Sequence, residues 1–184
     1  MDAFEAVISM LLRHDGYWTT PSFKVELTKA EKVAIGRHSS PRWELDLVAY
    51  CAAKNEILIV ECKSYLDSGG VLFRNGLFQT PNRYKLFTDD TLRNVVVDRM
   101  TAQLLERGSC RAKPKVTLCL AAGKFAGSND LKGLRSHFKA NHWQLFEPKW
   151  IHEGLRRAAT KGYENDIAFV VSKLLLNWKA STDD

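Results

Sequence analysis

The 184-residue chain lacks most of the features that would settle its class at a glance. Its four cysteines, at 51, 62, 110 and 119, do not have the paired spacing of a zinc site or a thioredoxin-type motif. Cys51, Cys62 and Cys119 fall in or beside strand-like segments, where a free Cys behaves as a small hydrophobe; this implies a reducing cytoplasm and no disulfides. The five histidines, at 14, 38, 137, 142 and 152, show no HNH or zinc-ligand spacing and read as surface or packing residues. No apolar run approaches the ~18 residues needed to cross a bilayer. Acidic Asp2 and Glu5 stand where a secretory signal would be positive. Internal repeats and low-complexity tracts are absent, and only residues 180–184 read as a frayed tail.

What remains is the composition of one ordinary soluble domain, with 45% apolar and 26% charged residues. The net charge of +6 favours a polyanionic partner such as nucleic acid. The basic residues come in three groups: Arg107, Arg111, Lys113 and Lys115; Lys132, Arg135 and Lys139; Arg156, Arg157 and Lys161. Each alone reads as a solvated face, and together they suggest a phosphate-tracking surface.

The most informative stretch runs from Trp43 to Lys63. Two apolar strands, Trp43 to Tyr50 and Ile57 to Lys63, are separated by Ala52-Ala53-Lys54-Asn55, a break short enough for an antiparallel hairpin. A turn centred on Ala53-Lys54 sets Asp46 opposite Glu61 and Glu44 opposite Lys63. With side chains alternating, these four share one face at one end. Leu45, Leu47, Ala49, Leu58, Val60 and Cys62 take the other face. Val48, Tyr50, Ile57 and Ile59 continue the charged face in apolar form, so it is buried except at that end. Two acids and a Lys converging there are costly unless compensated, and a divalent cation is the natural compensation. The bland alternatives are a structural ion-pair cluster, with Glu44 simply pairing with Lys63.

The remaining order of elements is coarser. Asp2 to His14 reads as a helix with Asp2 as N-cap. A strand follows around Phe23 to Leu27, then a capping-box helix or hairpin arm from Thr28 to Ile35, with a loop at His38 to Pro41. After the charged hairpin and the loop Asp67 to Gly70, the chain to Thr88 has no clear pattern. A long helix capped at Thr88-Asp89-Asp90 then runs to Arg107, followed by a buried strand from Lys115 to Ala121. Ser128 to Ala140 is a helix, Trp143 to Phe146 a strand, and Pro148 to Ala159 and Glu164 to Trp178 are helices. Trp18, Trp43 and Trp143 read as core residues. The order implies an α/β domain with a mixed sheet flanked by helices.

Asp46 followed by Leu47-Val48-Ala49-Tyr50, with Glu61-Cys62-Lys63 closing the next strand, resembles the PD-(D/E)xK nuclease superfamily of restriction-endonuclease-like fold. Phe4-Glu5, Val7-Ile8, Leu11-Leu12 and Gly16-Tyr17 look like the first helix of Mrr-like restriction enzymes and archaeal Holliday-junction resolvases. The motif's opening Pro is missing, since Leu45 precedes Asp46. The resemblance implies a restriction-endonuclease-like mixed central sheet and a metal-dependent deoxyribonuclease, an endonuclease of a restriction, defence or repair setting. It implies Mg²⁺ or Mn²⁺ held by Asp46, Glu61 and the Cys62 backbone carbonyl, with Lys63 orienting water or stabilising charge. Glu5 would join as a further metal ligand or through a metal-bound water. Gln103 would lie beside Lys63, with Gln79 as competitor. The partner is then DNA, and a homodimer or a specificity-directing partner protein would fit as well. Two other outcomes are a nucleic-acid-binding module of the same fold without catalysis, and a nuclease for RNA or branched junctions.

Overall fold

Asp2 opens the first helix by trading hydrogen bonds with Glu5. Its carboxylate accepts the Glu5 N–H at 2.8 Å, and the Glu5 carboxylate accepts the Asp2 N–H at 3.1 Å. This capping box satisfies two donors that a helix start leaves orphaned, and α1 (Ala3–His14) follows. The computed structural model describes residues 2–38, 42–162 and 164–178. Residues 39–41 of the expected loop and the expected tail at 180–184 lie outside the described residues.

Beyond α1 the chain forms β1 (Trp18–Glu26), α2 (Lys29–Ala34), β2 (Arg42–Cys51) and β3 (Glu56–Lys63). Thr28 and Glu31 form a second capping box, so the segment expected as helix or hairpin arm is the helix. The unpatterned stretch holds a small hairpin, β4 (Phe73–Arg74) with β5 (Leu77–Phe78), then a 3-10 turn at Pro81–Arg83 and α3 (Lys85–Thr88). Strands of two residues carry no readable period, and this piece is held by rings: Phe78 stacks on Tyr84 at 4.1 Å and meets Phe73 edge-on at 5.1 Å. The chain continues through α4 (Asp90–Glu106), β6 (Lys115–Ala122), α5 (Ser128–Ala140), β7 (Gln144–Phe146), α6 (Pro148–Thr160) and α7 (Ile167–Trp178). The Asp89 carboxylate caps α4 by accepting the Leu92 N–H.

Five strands make one mixed sheet in the order β1-β2-β3-β6-β7. β1, β2 and β3 are antiparallel neighbours, while β3-β6 and β6-β7 are parallel. The parallel pairs need crossovers, which α4 and α5 supply. Each face of the sheet carries an apolar layer. On one, Ile57 and Ile59 pack with Leu92, Val96 and Met100 of α4 and Leu134 and Phe138 of α5. On the other, Leu47, Ala49, Leu58 and Val60 pack with Ile8, Leu11 and Leu12 of α1, Ile151 of α6 and Phe169 of α7. The mixed α/β sheet flanked by helices is therefore the architecture.

The hairpin register is the expected one, with Leu47 opposite Val60 and Tyr50 opposite Ile57. One face assignment is corrected. Leu45 packs in the layer of Val48, Ile57 and Ile59, not with Leu47 and Ala49. The strand changes face at Asp46, where the β1-β2 ladder skips a pair and Ser22 of β1 sits in the left-handed region at φ 48°. Trp18 is a second correction: it is 81% exposed instead of buried in the core.

Candidate functional site

The pairing of β2 with β3 stops at Leu47 and Val60. Beyond that point β2 stays with β1 as far as Arg42, and β3 stays with β6 as far as Lys63. The sheet thus forks, and Asp46, Glu61 and Lys63 stand in the fork. The Asp46 carboxylate spans its base by accepting the Cys62 N–H at 2.8 Å, in place of a ladder bond. Lys63 Nζ lies 2.5 Å from Glu61 Oε1 and 3.8 Å from Asp46 Oδ2. All three side chains are mostly buried.

The β3 backbone brings a fourth polar group to the fork. The Lys63 carbonyl accepts the Gly123 N–H at 3.0 Å and so faces β6. Successive carbonyls of an extended strand point to opposite edges. The Cys62 carbonyl therefore faces the fork, on the same edge as its own N–H. Gly123 is required at this contact, because a Cβ there would sit 2.3 Å from the Ser64 carbonyl oxygen.

The fork holds more negative than positive charge. Burial and then the neighbouring charge of Asp46 push the Glu61 carboxyl above its usual range, against the pull of Lys63; Glu5 adds to the rise. Burial would lower Lys63, but the charge and hydrogen bond of Glu61, and then Asp46, hold it above the ordinary lysine value. Lys63 is thus an ammonium in this setting. Glu5 is raised chiefly by burial, with Asp46 among the charges that act on it. Burial, then Asp46, Glu5 and Glu61, push the Cys62 thiol up, leaving it an inert packing group.

The sequence-predicted residues therefore divide. Asp46, Glu61, Lys63 and the Cys62 carbonyl converge, and Glu5 is electrostatically coupled to them from the start of α1. Gln103 does not join them. It is buried at 4% exposure on α4, its Oε1 accepts the Glu26 N–H at 2.9 Å, and its Nε2 donates to the Lys24 carbonyl. Arg99 donates to the Glu26 carbonyl, so α4 closes one end of the open β1 edge. Gln79 serves the β4-β5 hairpin, donating to the carbonyls of Arg74 and Leu77. Glu44 is exposed and lies opposite Lys24 in the β1-β2 ladder, so the expected pairing with Lys63 does not form.

The expected basic surface is dispersed too. Arg111, Lys113 and Lys115 gather at the β2-β3 turn, the far end of the hairpin, where Arg111 donates to the Ala52 carbonyl and Lys115 pairs with Glu56, while Arg107 lies over the Phe23 ring. Arg135 is held by Glu147, and Arg157 pairs with Asp15.

Two tyrosines complete the fork and escaped the sequence reading. Tyr65 follows the end of β3 by two residues and sits in the left-handed region at φ 46°. The buried Tyr84 donates to the Tyr65 hydroxyl at 3.4 Å. Tyr65 lies past the end of β3 in a left-handed conformation, so strand alternation did not mark it. Nothing local marks Tyr84, which arrives from the unpatterned segment.

Among the described residues, no group of three or more His, Cys, Asp and Glu side chains is disposed to hold a metal ion. The donor chemistry still suits a hard cation. Two carboxylates and a carbonyl share one opening that carries surplus negative charge, and Mg²⁺ commonly binds through one or two carboxylates while keeping its waters. No protein-family model, curated protein or solved structure matches this chain.

Proposed function

We propose that the protein is a divalent-metal-dependent nuclease of the PD-(D/E)xK kind, hydrolysing phosphodiester bonds in DNA. The observation that carries this reading is the fork: two carboxylates and a lysine meet where β2 leaves β3, at the carboxyl end of a strand with a parallel neighbour. Such ends are where open α/β sheets bind ligands. Asp46, Glu61 and the Cys62 carbonyl would hold Mg²⁺ or Mn²⁺, which supplies an acidified water and a counter-charge for the phosphoryl oxygen. Lys63, beside its two acids, donates hydrogen bonds to water or to developing phosphate charge. Glu5 adds negative charge from α1.

The test is cleavage of supercoiled plasmid, linear duplex, single strands and RNA with Mg²⁺, Mn²⁺ or EDTA, with Asp46→Asn and Lys63→Ala alongside. Metal-dependent cutting that both variants lose supports the proposal, and the substrate that is cut separates DNA from RNA or junctions. A second reading has one observation in its favour: Lys63 already sits against Glu61 and near Asp46 and partly neutralises them. On that reading the fork is a structural ion cluster in a non-catalytic nucleic-acid-binding module. No cutting of any substrate and no Mg²⁺ binding by calorimetry, with nucleic acid still bound, would favour it.

A further inference from the structure

On the far side of β2 from the fork lies a groove of about 740 Å³. Its floor is the cross-strand pair Trp18 and Tyr50, followed by Thr20 and Val48; its wall is the end of α4 with Leu104 and Arg107. It extends along β1 and β2 to Lys24 and Arg42, so Asp46 falls on β2 between two of its lining residues, Arg42 and Val48. Three features of this groove bear on what it could bind. Trp18 is 81% exposed, although Trp is on average highly buried. Three cations, Lys24, Arg42 and Arg107, face a single acid, Glu26, which pairs with Arg42 at 3.7 Å. Arg107 already covers the Phe23 ring, with 5.8 Å to its centroid, which leaves the Trp18 ring as the platform.

An exposed indole flanked by cations suits a ligand that is both planar and anionic. Nucleotides have that combination, and they show a base face only when unpaired, because in a duplex the faces are stacked on neighbouring bases. We infer that this groove binds an unpaired segment of nucleic acid, with one base stacked on Trp18 and its phosphates met by Lys24 and Arg107. The inference rests on the nucleic-acid half of the nuclease reading and assigns its substrate a single-stranded or locally opened segment. An acidic peptide shares the charge but not the planar face.

Binding of a fluorescently labelled oligothymidine and of a blunt duplex is measured by anisotropy in EDTA, so that hydrolysis plays no part. Trp18→Ala should weaken oligothymidine binding about tenfold, while Trp18→Phe keeps most of it. Because the ring is exposed, neither change threatens folding. Arg107→Ala should lower the slope of log affinity against log salt by about 0.7, the loss of one phosphate contact on a single strand. Trp18→Ala binding as tightly as wild type, a duplex binding as well as the single strand, or polyglutamate competing as well as oligothymidine would each overturn the groove. If any of these occurs while metal-dependent plasmid cutting persists, only the groove falls. If wild type binds neither nucleic acid and cuts nothing, the nuclease reading falls with it.

Discussion

The two ends of β3 carry one glutamate each, and the protein treats them in opposite ways. Glu56, at the turn end, accepts from Tyr17 at 2.7 Å and from Lys115 at 2.9 Å. Burial there tends to raise its pKa, but those bonds to Lys115 and Tyr17 outweigh it and hold the carboxyl below its usual range. Glu61, roughly 17 Å further along the strand, has one cation and two acids for company and is raised. Glu56 is a carboxylate whose charge is satisfied, as structural ion pairs are. Glu61 belongs to a set left short of positive charge, and the proposed metal site is argued from that crowding.

Breaking the pair at the fork should have the largest effect. Lys63→Ala leaves buried carboxylates facing one another, costing about 3–5 kcal/mol in metal-free buffer, with cleavage down about 10²–10³-fold. Thermal melts should show Mg²⁺ restoring much of that loss, as ligand linkage requires. Asp46→Asn works the other way on stability: removing one acid relieves Glu61, so Tm in EDTA should rise by about 2–4 °C, the equivalent of about 1 kcal/mol. Metal-dependent cutting should vanish in the same variant. A fall in Tm would recast the fork as a structural cluster.

At the turn end the signs reverse. Glu56→Gln should cost about 1–3 kcal/mol in chemical denaturation, because Tyr17 and Lys115 lose a charged acceptor, while the rate of plasmid cleavage stays at the wild-type value. Gln103→Ala should behave likewise, at about 1–3 kcal/mol, since it uncovers the β1 backbone and touches no fork residue. The smallest effect is in acid. A depressed Glu56 contributes stability that is present above the ordinary carboxylate value and lost as pH falls through its folded value. Lys115→Met should therefore move the acid-unfolding midpoint upward in pH. The exposed Lys115 limits the change to under about 1 kcal/mol.

Local signals carried far into the structure. The hairpin register followed from the short turn and the alternation on each side of it. The caps at Asp2, Thr28 and Asp89 marked helix starts through side chains that bond to nearby backbone. Asp46, Glu61 and Lys63 were legible because their spacing is a property of two adjacent strands. The fork itself was not, since where a ladder stops depends on what β1 and β6 offer to either strand. Gln103 shows a sharper limit: a polar residue on the inner face of a helix reads the same in sequence whether it meets a substrate or a bare strand edge. Trp18 fails for the complementary reason, because an exposed ring and a core ring have the same alternation pattern.

Glu5 serves as both the latch of α1 and a charge beside Asp46. Fraying of the first helical turn would release a carboxylate next to the fork and alter its balance of charge. A purification tag fused ahead of Asp2 is then not a neutral addition, and protein carrying the tag at the other end is the fair basis for comparing metal affinities.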